Sequence, residues 1–213
     1  MLMKSTISIF FVVALSAFNH GITTDGKVVS TFPGWRNNNV PIWEIDKDHS
    51  SVCFMVKHMG IAEVKGFFRT FSGTMESAEE DFSDALIKLS VDVNSIDSNN
   101  EARDTHLKSN DFFNAVQFPQ MTFESKSFKK QKGDNYKLSG ILTIRDVSRN
   151  VSFDVEYLGS IAIIGIEKVA FKAVTKINRL DYNIQWNQTT PDGILILGNE
   201  VTIELNLEMN KSI

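Results

Sequence analysis

Cysteine is almost absent from this sequence, and Cys53 is the only one in 213 residues. A single thiol cannot form an intrachain disulfide, so the fold must be stable without covalent cross-links. Cys53 lies in the apolar run Ser51–His58, where a thiol usually serves as a small buried apolar group. We therefore predict a structural cysteine with no reactive role.

Catalytic and metal-binding motifs are also missing. The four histidines show no HxH or HExxH spacing, no CxxC pair exists, and no GxSxG turn supplies an activated serine. A zinc site needs three or four convergent ligands, and the serine of a GxSxG turn needs its triad partners. We predict no catalytic residue, no metal ligand and no metal cofactor.

Positive charge is scarce as well. The chain has 22 Lys and Arg side chains against 26 Asp and Glu, which gives a net charge of −4 at pH 7. Proteins that bind nucleic acid usually carry an excess of basic residues. This balance argues against nucleic acid as a partner.

Long apolar runs are limited to the N-terminus, where Lys4 precedes the run Ile7–Phe18. A transmembrane helix needs about 20 apolar residues, whereas this run has the length of a signal-peptide core. We predict a signal peptide over residues 1–21, a periplasmic or secreted protein, and no stable transmembrane anchor. An uncleaved membrane anchor is the alternative. Residues 22–41 show no sustained alternation of apolar and polar residues, which predicts a linker or loosely docked arm.

From Ile42 onward, apolar and polar residues alternate. In Ala85–Val93 the odd-numbered residues are apolar, and Lys88, Ser90 and Asp92 lie opposite. Similar or related patterns over 51–58, 64–73, 121–128, 136–144, 151–157, 168–177 and 201–209 bring the number to about eight strands. Strands with one apolar face suit an antiparallel sheet, and eight can close into a barrel that is filled or holds one small ligand. We predict an all-β, eight-stranded antiparallel barrel in one domain, residues 42–213.

One short helix near one end of the barrel interrupts the strands. Ser98 and Glu101 have the spacing of a capping box, with Ser98 as the N-cap. In the helix that follows, Arg103 and His106 share a face. Two interpretations stay open: Arg103 and Asp104 anchor the helix to the barrel, or Arg103 and His106 face a polar ligand head such as a phosphate.

Phenylalanine is abundant, with sixteen residues against three tyrosines and three tryptophans. Many lie near the predicted helix: Phe54, Phe67, Phe68, Phe71, Phe112, Phe113, Phe118 and Phe123. Ligand pockets are mainly apolar with few polar groups, but a solid aromatic core would give the same sequence. Both a lined cavity and a filled core remain open.

Several motifs in a fixed order resemble the YceI family of lipid- or polyisoprenoid-binding periplasmic proteins. They are WEIDKDHSSVCFMVKHMGIAEVKGFF (43–68), FSG (71–73), VDVNSIDSNNEARDTHLKSNDFF (91–113), FPQMTFES (118–125) and LSGILTIRDVSRNV (138–151). The C-terminal part of the chain matches more loosely.

The resemblance implies a lipocalin-like barrel with an elongated apolar cavity. It also implies a binding protein rather than an enzyme, with no cofactor other than a bound isoprenoid quinone or polyprenyl lipid. Carried over by position, the ligand-facing set is His49, Phe54, His58, Phe67, Phe71, Arg103, His106, Phe112 and Phe113.

We therefore expect an exported carrier whose partner is a small amphiphile, an isoprenoid or fatty lipid. Two alternatives belong to other classes. One is an enzyme that acts on a bound amphiphile through His58, Arg103, Asp104 and His106, and the other is a secreted interaction module with a solid core. The sequence leaves the oligomeric state open, and a homodimer is one expectation.

Overall fold

The computed structural model describes residues 23–24, 27–28 and 40–212. The predicted signal peptide, residues 1–21, lies outside the described residues, as does most of the predicted linker at 22–41. The chain divides into two units, residues 1–38 and 39–213. In the first, β1 (Thr23–Thr24) and β2 (Lys27–Val28) pair antiparallel. Within the described ranges, no helix has the length and apolar character needed to cross a membrane.

The second unit is built almost entirely from strands. They are β3 (Ile42–Ile45), β4 (Ser51–His58), β5 (Ala62–Phe68), β6 (Phe71–Glu76), β7 (Leu86–Asp92), β8 (Ile96–Asp97), β9 (Gln120–Lys130), β10 (Asn135–Ile144), β11 (Val147–Ile163), β12 (Ile166–Asn178) and β13 (Leu197–Lys211). Helix α1 (Glu101–Lys108) lies between β8 and β9, and 3₁₀ turns cover Val93–Ser95 and Arg179–Tyr182.

Six of these segments form three bent strands of the barrel wall. β3 and β4 both pair with β13 and form the first bent strand. β6 pairs with β3 and β5 with β4, which gives the second. β7 pairs with β6 and β8 with β5, which gives the third. With β9 to β13, and with β12 paired to β13, the wall closes. The predicted all-β, eight-stranded antiparallel barrel with one short helix is confirmed.

Alternation along the strands determines what fills the interior. In β10 every second residue from Tyr136 to Ile144 is buried, as the sequence pattern predicts. The predicted strand over 64–73 is broken at Arg69 and Thr70, between β5 and β6. This break lets the wall bend and changes which residues face inward.

One end of the barrel is solid, and we call it the aromatic end. Phe82 lies in the segment between β6 and β7 and packs edge to face on Trp43 and Phe171, with ring centroids 5.8 and 5.6 Å apart. Phe128 and Tyr136 stack at 4.7 Å. The Tyr136 hydroxyl donates to the Asp81 carbonyl at 2.9 Å, which ties the 77–85 segment across the opening. Buried aromatic area of this kind is a main source of folding free energy.

The hairpin of β11 and β12 extends beyond its neighbour β10. The pairing of β10 with β11 ends at Asn135 and Glu156, so the edge Leu158–Ile163 has no strand beside it among the described residues. Large aliphatic side chains on this hairpin are exposed: Leu158, Ile161, Ile163, Ile164 and Ile166.

Candidate functional site

The half of the barrel away from the aromatic end encloses a cavity of about 300 Å³. Inward-facing strand residues form its wall: Val52, Phe54, Val56, Val64, Phe68, Leu89, Val91, Met121, Phe123, Leu142, Ile144, Phe153, Ile177, Val201, Ile203 and Leu205. Leu107, Phe112, Phe113, Ile184 and Trp186 line it from the helix side. The two readings of the phenylalanines therefore both apply, one to each half of the barrel.

Polar side chains line the cavity at only a few points. They are His58, Arg103, His106, Thr122 and Arg179, and no Asp or Glu lines the cavity in the described part of the chain. His58 and Arg103 are half-buried and His106 is exposed, so this side of the cavity reaches solvent. We call it the mouth. Its side chains supply hydrogen-bond donors and positive charge to an otherwise apolar space.

Helix α1 is capped two residues later than predicted. The N-cap is Asn100, whose side-chain oxygen accepts from the Arg103 backbone N–H at 2.9 Å, so the prediction of Ser98 is wrong. The physical reason is backbone geometry, because Asn99 has a φ of 60° and prevents the helix from extending back to Ser98.

Ser98 instead joins the helix to the preceding strand. Its hydroxyl accepts from Arg103 Nε at 2.7 Å, and its carbonyl accepts from Arg103 Nη2 at 2.6 Å. The Asp104 carboxylate accepts from the Ser98 N–H at 2.9 Å. The predicted anchoring role of Arg103 and Asp104 is therefore present in the structure. Arg103 Nη1 has no hydrogen bond to any described residue and stays available to a ligand.

An aromatic cluster forms beside the mouth around His106. The imidazole contacts Phe112 and Trp186 edge to face, with centroids 5.0 and 5.8 Å apart, and Phe112 lies 5.4 Å from Trp186. His106 Nε2 lies 2.9 Å from an Asp111 carboxylate oxygen. This contact fixes the orientation of the imidazole ring, and the ring closes part of the mouth.

Arg179 is a site residue that the sequence did not reveal. It is 3% exposed, and burial lowers the pKa of its guanidinium. Nε donates to the Gly198 carbonyl at 3.0 Å, Nη1 to the Ile184 carbonyl at 2.8 Å, and Nη2 to Asn199 Oδ1 at 3.0 Å. These acceptors are neutral, and no described carboxylate contacts the guanidinium. The cavity wall thus contains a buried positive charge.

Arg145 was also missed, and it holds the loops of the mouth together. Its Nη1 donates to the Phe112 carbonyl at 2.6 Å and to the Asn183 carbonyl at 2.7 Å. Arg145 and Asp146 have φ values of 50° and 57°, as the tight turn between β10 and β11 requires. The turn therefore aims Arg145 at the segment after α1 and at the 3₁₀ turn before β13.

Six of the nine predicted ligand-facing residues line the cavity: Phe54, His58, Arg103, His106, Phe112 and Phe113. The structure places His49, Phe67 and Phe71 outside this lining. Phe67 lies on the outer face under Lys65 and Arg69, and Phe68 takes the inward position. Phe71 is buried in the core. Ligand contact by any of the nine stays a prediction.

His49 belongs to an ion-pair network between β3, β12 and β13. Lys168 Nζ lies 3.0 Å from an Asp46 oxygen and 2.7 Å from a Glu208 oxygen. His49 Nδ1 lies 3.0 Å from Asp46. The Lys168 ammonium holds the pKa of the Asp46 carboxyl well below its usual range. Because Lys168 already neutralises the carboxylates, the group of Asp46, His49 and Glu208 acts as a structural clasp.

The geometry defines an eight-stranded antiparallel β-barrel that is solid at one end and holds an apolar cavity at the other. A YceI-like domain matches residues 43–209. The chain belongs to this family.

Known proteins support the assignment. A UPF0312 protein of Staphylococcus aureus is 36% identical over 169 residues, covering 78% of this chain and 96% of that protein. The YCEI protein of Campylobacter jejuni has a TM-score of 0.63 at 29% identity, over 74% of this chain and 90% of that one. Burkholderia cenocepacia BcnA shares the fold, with a TM-score of 0.68 at 24% identity over 77% of this chain and 98% of that one. A polyisoprenoid binding domain from Saccharophagus degradans also shares the fold, with a TM-score of 0.59 at 14% identity over 80% and 98% of the two chains.

Proposed function

We propose that the protein is an exported carrier that binds the apolar chain of an isoprenoid or similar amphiphilic lipid in the barrel cavity. The observation that carries this proposal is the distribution of polarity. Most of the cavity wall is apolar, and the basic and imidazole side chains lie at the mouth or in the wall at Arg179. An amphiphile has the same distribution, with an apolar chain and one polar end. The polyisoprenoid binding domain that shares the fold supports this class of ligand.

The mouth favours a head group that accepts hydrogen bonds. Arg103 Nη1 is unpaired, His58 makes no side-chain hydrogen bond within the described residues, and Arg179 adds a buried positive charge. A guanidinium suits phosphate oxygens, and an imidazole N–H can donate to a carbonyl. A prenyl phosphate or an isoprenoid quinone would meet these donors.

Binding explains the site better than catalysis does. Thr122 and Cys53 are the only hydroxyl- or thiol-bearing side chains among the described residues that line the cavity, and no hydrogen bond joins either to a histidine. Nucleophilic catalysis needs such a contact between a nucleophile and a base. The proposed carrier needs only the apolar wall and the donors at its mouth.

Lipid extraction tests the proposal most directly. We expect the protein purified from the periplasm or the medium to release an isoprenoid or fatty amphiphile that mass spectrometry identifies. The fluorescence of Trp186, which lines the cavity, should change when a prenyl phosphate or a quinone is added. Replacing Trp186 with Phe should remove that change, whereas replacing Trp43 at the aromatic end should not. Recovery of no lipid, together with no binding of either probe, would overturn the proposal. Retention of the protein in the cytoplasm would overturn the export part alone.

A further inference from the structure

The cavity has a closed floor inside the barrel. Phe123 and Phe153 are the inward-facing rings of β9 and β11, with centroids 5.4 Å apart and planes at 80°. Both are less than 5% exposed, and both line the cavity. Leu138, the cross-strand neighbour of Phe153, is buried but does not line the cavity. The open space therefore ends at the pair of rings.

A glycine fixes the position of this floor. A Cβ atom on Gly140 would lie 2.5 Å from the Phe123 ring, well inside van der Waals contact. Because Gly140 has no side chain, the Phe123 ring can lie against the wall at β10. Phe153 then packs on it edge to face. Below the two rings, Phe128 and Tyr136 fill the barrel.

The depth above the floor is short. Val52 and His58 both line the cavity from β4, and six residue steps along a strand span about 20 Å. With the usual strand tilt in a barrel, this corresponds to about 15 Å along the axis. An extended chain advances about 1.2 Å per bond, as an extended polypeptide does, so an isoprene unit of four bonds adds about 5 Å. About three units fit. The volume of about 300 Å³ is likewise at the lower end of the range for ligand pockets.

We infer that Phe123 and Phe153 set the length of chain that the protein accepts, and that its preferred ligands carry about three isoprene units (about 15 carbons) rather than a long polyisoprenoid chain. This inference rests on the proposed function. A longer chain can enter only until its end meets the rings, and the remainder stays in water. Units beyond the floor then add no buried area and no affinity.

A series of prenyl phosphates tests the inference in the full mature protein. Affinities for chains of 10, 15, 20 and 40 carbons are measured by Trp186 fluorescence and by calorimetry. For the unmodified protein we expect at least a tenfold gain from 10 to 15 carbons, and less than a threefold gain from 20 to 40. A gain that continues to 40 carbons would overturn the inference. Failure of every chain to bind would overturn the proposed function itself.

Two variants separate the floor from the rest of the core. In Phe153→Ala, we expect the chain of 20 carbons to bind at least tenfold tighter than that of 15. Phe128→Ala removes the same side chain from the aromatic end, and its length profile should match that of the unmodified protein. If Phe153→Ala does not fold, Phe153→Leu opens less space and should move the profile in the same direction. A folded Phe153 variant whose profile is unchanged would overturn the role of the floor.

Discussion

Lys168 links Asp46 and its sequence neighbour His49, near the start of the barrel, to Glu208 near its end. Its ammonium contacts Asp46 and Glu208, and Asp46 in turn contacts His49. The lowered pKa of Asp46 means that its carboxylate stabilises the fold above the ordinary Asp pKa. This contribution is lost as the pH falls through the folded-state value. Because its folded-state pKa is so low, Asp46 should be among the last of the described carboxyl groups to take up a proton in acid.

The pKa of His49 is shifted in the opposite direction from that of Asp46. Its hydrogen bond to Asp46, and the charges of Asp46 and Glu208, raise its pKa above 6.5. Protonated His49 thus stabilises the fold fully below pH 6.5, and this contribution is lost as the pH rises through the folded-state pKa. We expect an NMR titration to give His49 a pKa above 6.5, and Asp46→Asn to lower it. Glu44→Gln, an exposed change on the preceding strand β3, should leave it unaltered. An unshifted His49 would show that the contact does not persist in solution.

The buried guanidinium of Arg179 should also stabilise the fold. Its replacement by Met would leave the Gly198, Ile184 and Leu197 carbonyls and the Asn199 amide without this donor. Each buried group left unpaired costs about 1–3 kcal/mol. We expect Arg179→Met to reduce the free energy of unfolding by about 3 kcal/mol or more in urea. Arg149→Met, an exposed arginine at the start of β11, should change it by less than about 0.5 kcal/mol. Equal effects of the two changes would contradict the structural role of Arg179.

Residue parity shows where sequence reasoning reaches its limit. Alternation along the regular strand β4 predicts that Phe54 and His58 share a face, and in the structure both line the cavity. The family resemblance put Phe67 in the ligand-facing set, but Phe67 shares the outward parity of Lys65 and Arg69. The break at Arg69 and Thr70 then moves the inward face from the even-numbered residues of β5 to the odd-numbered residues of β6. Arg145 and Arg179 could not be found from local pattern, since their acceptors come from loops that only the closed barrel brings together.

Helix α1 is held in place by hydrogen bonds at its N-terminus rather than by burial of its side chains. None of its residues is buried, and its first turn depends on Asn100 and on the contacts of Ser98. The helix covers the mouth through this one anchored end and through Arg145, which ties the segment after it to Asn183. Ligand entry should thus require movement of the loops rather than of the barrel wall.

Removal of the cap should loosen the helix selectively. Asn100→Ala deletes the side-chain acceptor for the Arg103 N–H, a change that usually costs about 1 kcal/mol. We expect faster hydrogen exchange for the α1 amides, by about fivefold, with the strand amides unchanged. Thr105→Ala, an exposed substitution in the same helix, is the control and should not speed exchange. If Ser98→Ala, but not Asn100→Ala, had this effect, the capping assignment would be wrong.

The whole barrel divides into a stabilising half and a binding half. At the aromatic end, Phe82 packs against Trp43 and Phe171, and these contacts stabilise the barrel. The barrel could be predicted from the sequence, since strand alternation and the family resemblance both indicate the strands that form its wall. The division between the halves depends on how rings from distant strands meet, and this could not be read from any single segment.

This division can be tested by paired substitutions. Phe82→Ala should lower the free energy of unfolding by about 3–5 kcal/mol, as large-to-small changes of buried Phe usually do. Half-buried Phe113→Ala at the mouth should cost less than half of that. Chemical denaturation measures both values. A larger loss for Phe113→Ala would place the main stabilising contacts at the mouth instead.

The unpaired edge of the β11–β12 hairpin bears on how the protein behaves in concentrated solution. From Leu158 to Ile163 it carries neither a charged residue nor a proline, the devices that usually keep such edges apart. Two molecules that meet at this edge can exchange backbone hydrogen bonds and cover their isoleucines, which also gives the expected homodimer a physical route. We expect the weight-average molar mass from light scattering to rise with protein concentration, and Ile161→Lys to suppress this rise. This edge, rather than the net charge, would then limit the concentration at which the protein stays monomeric.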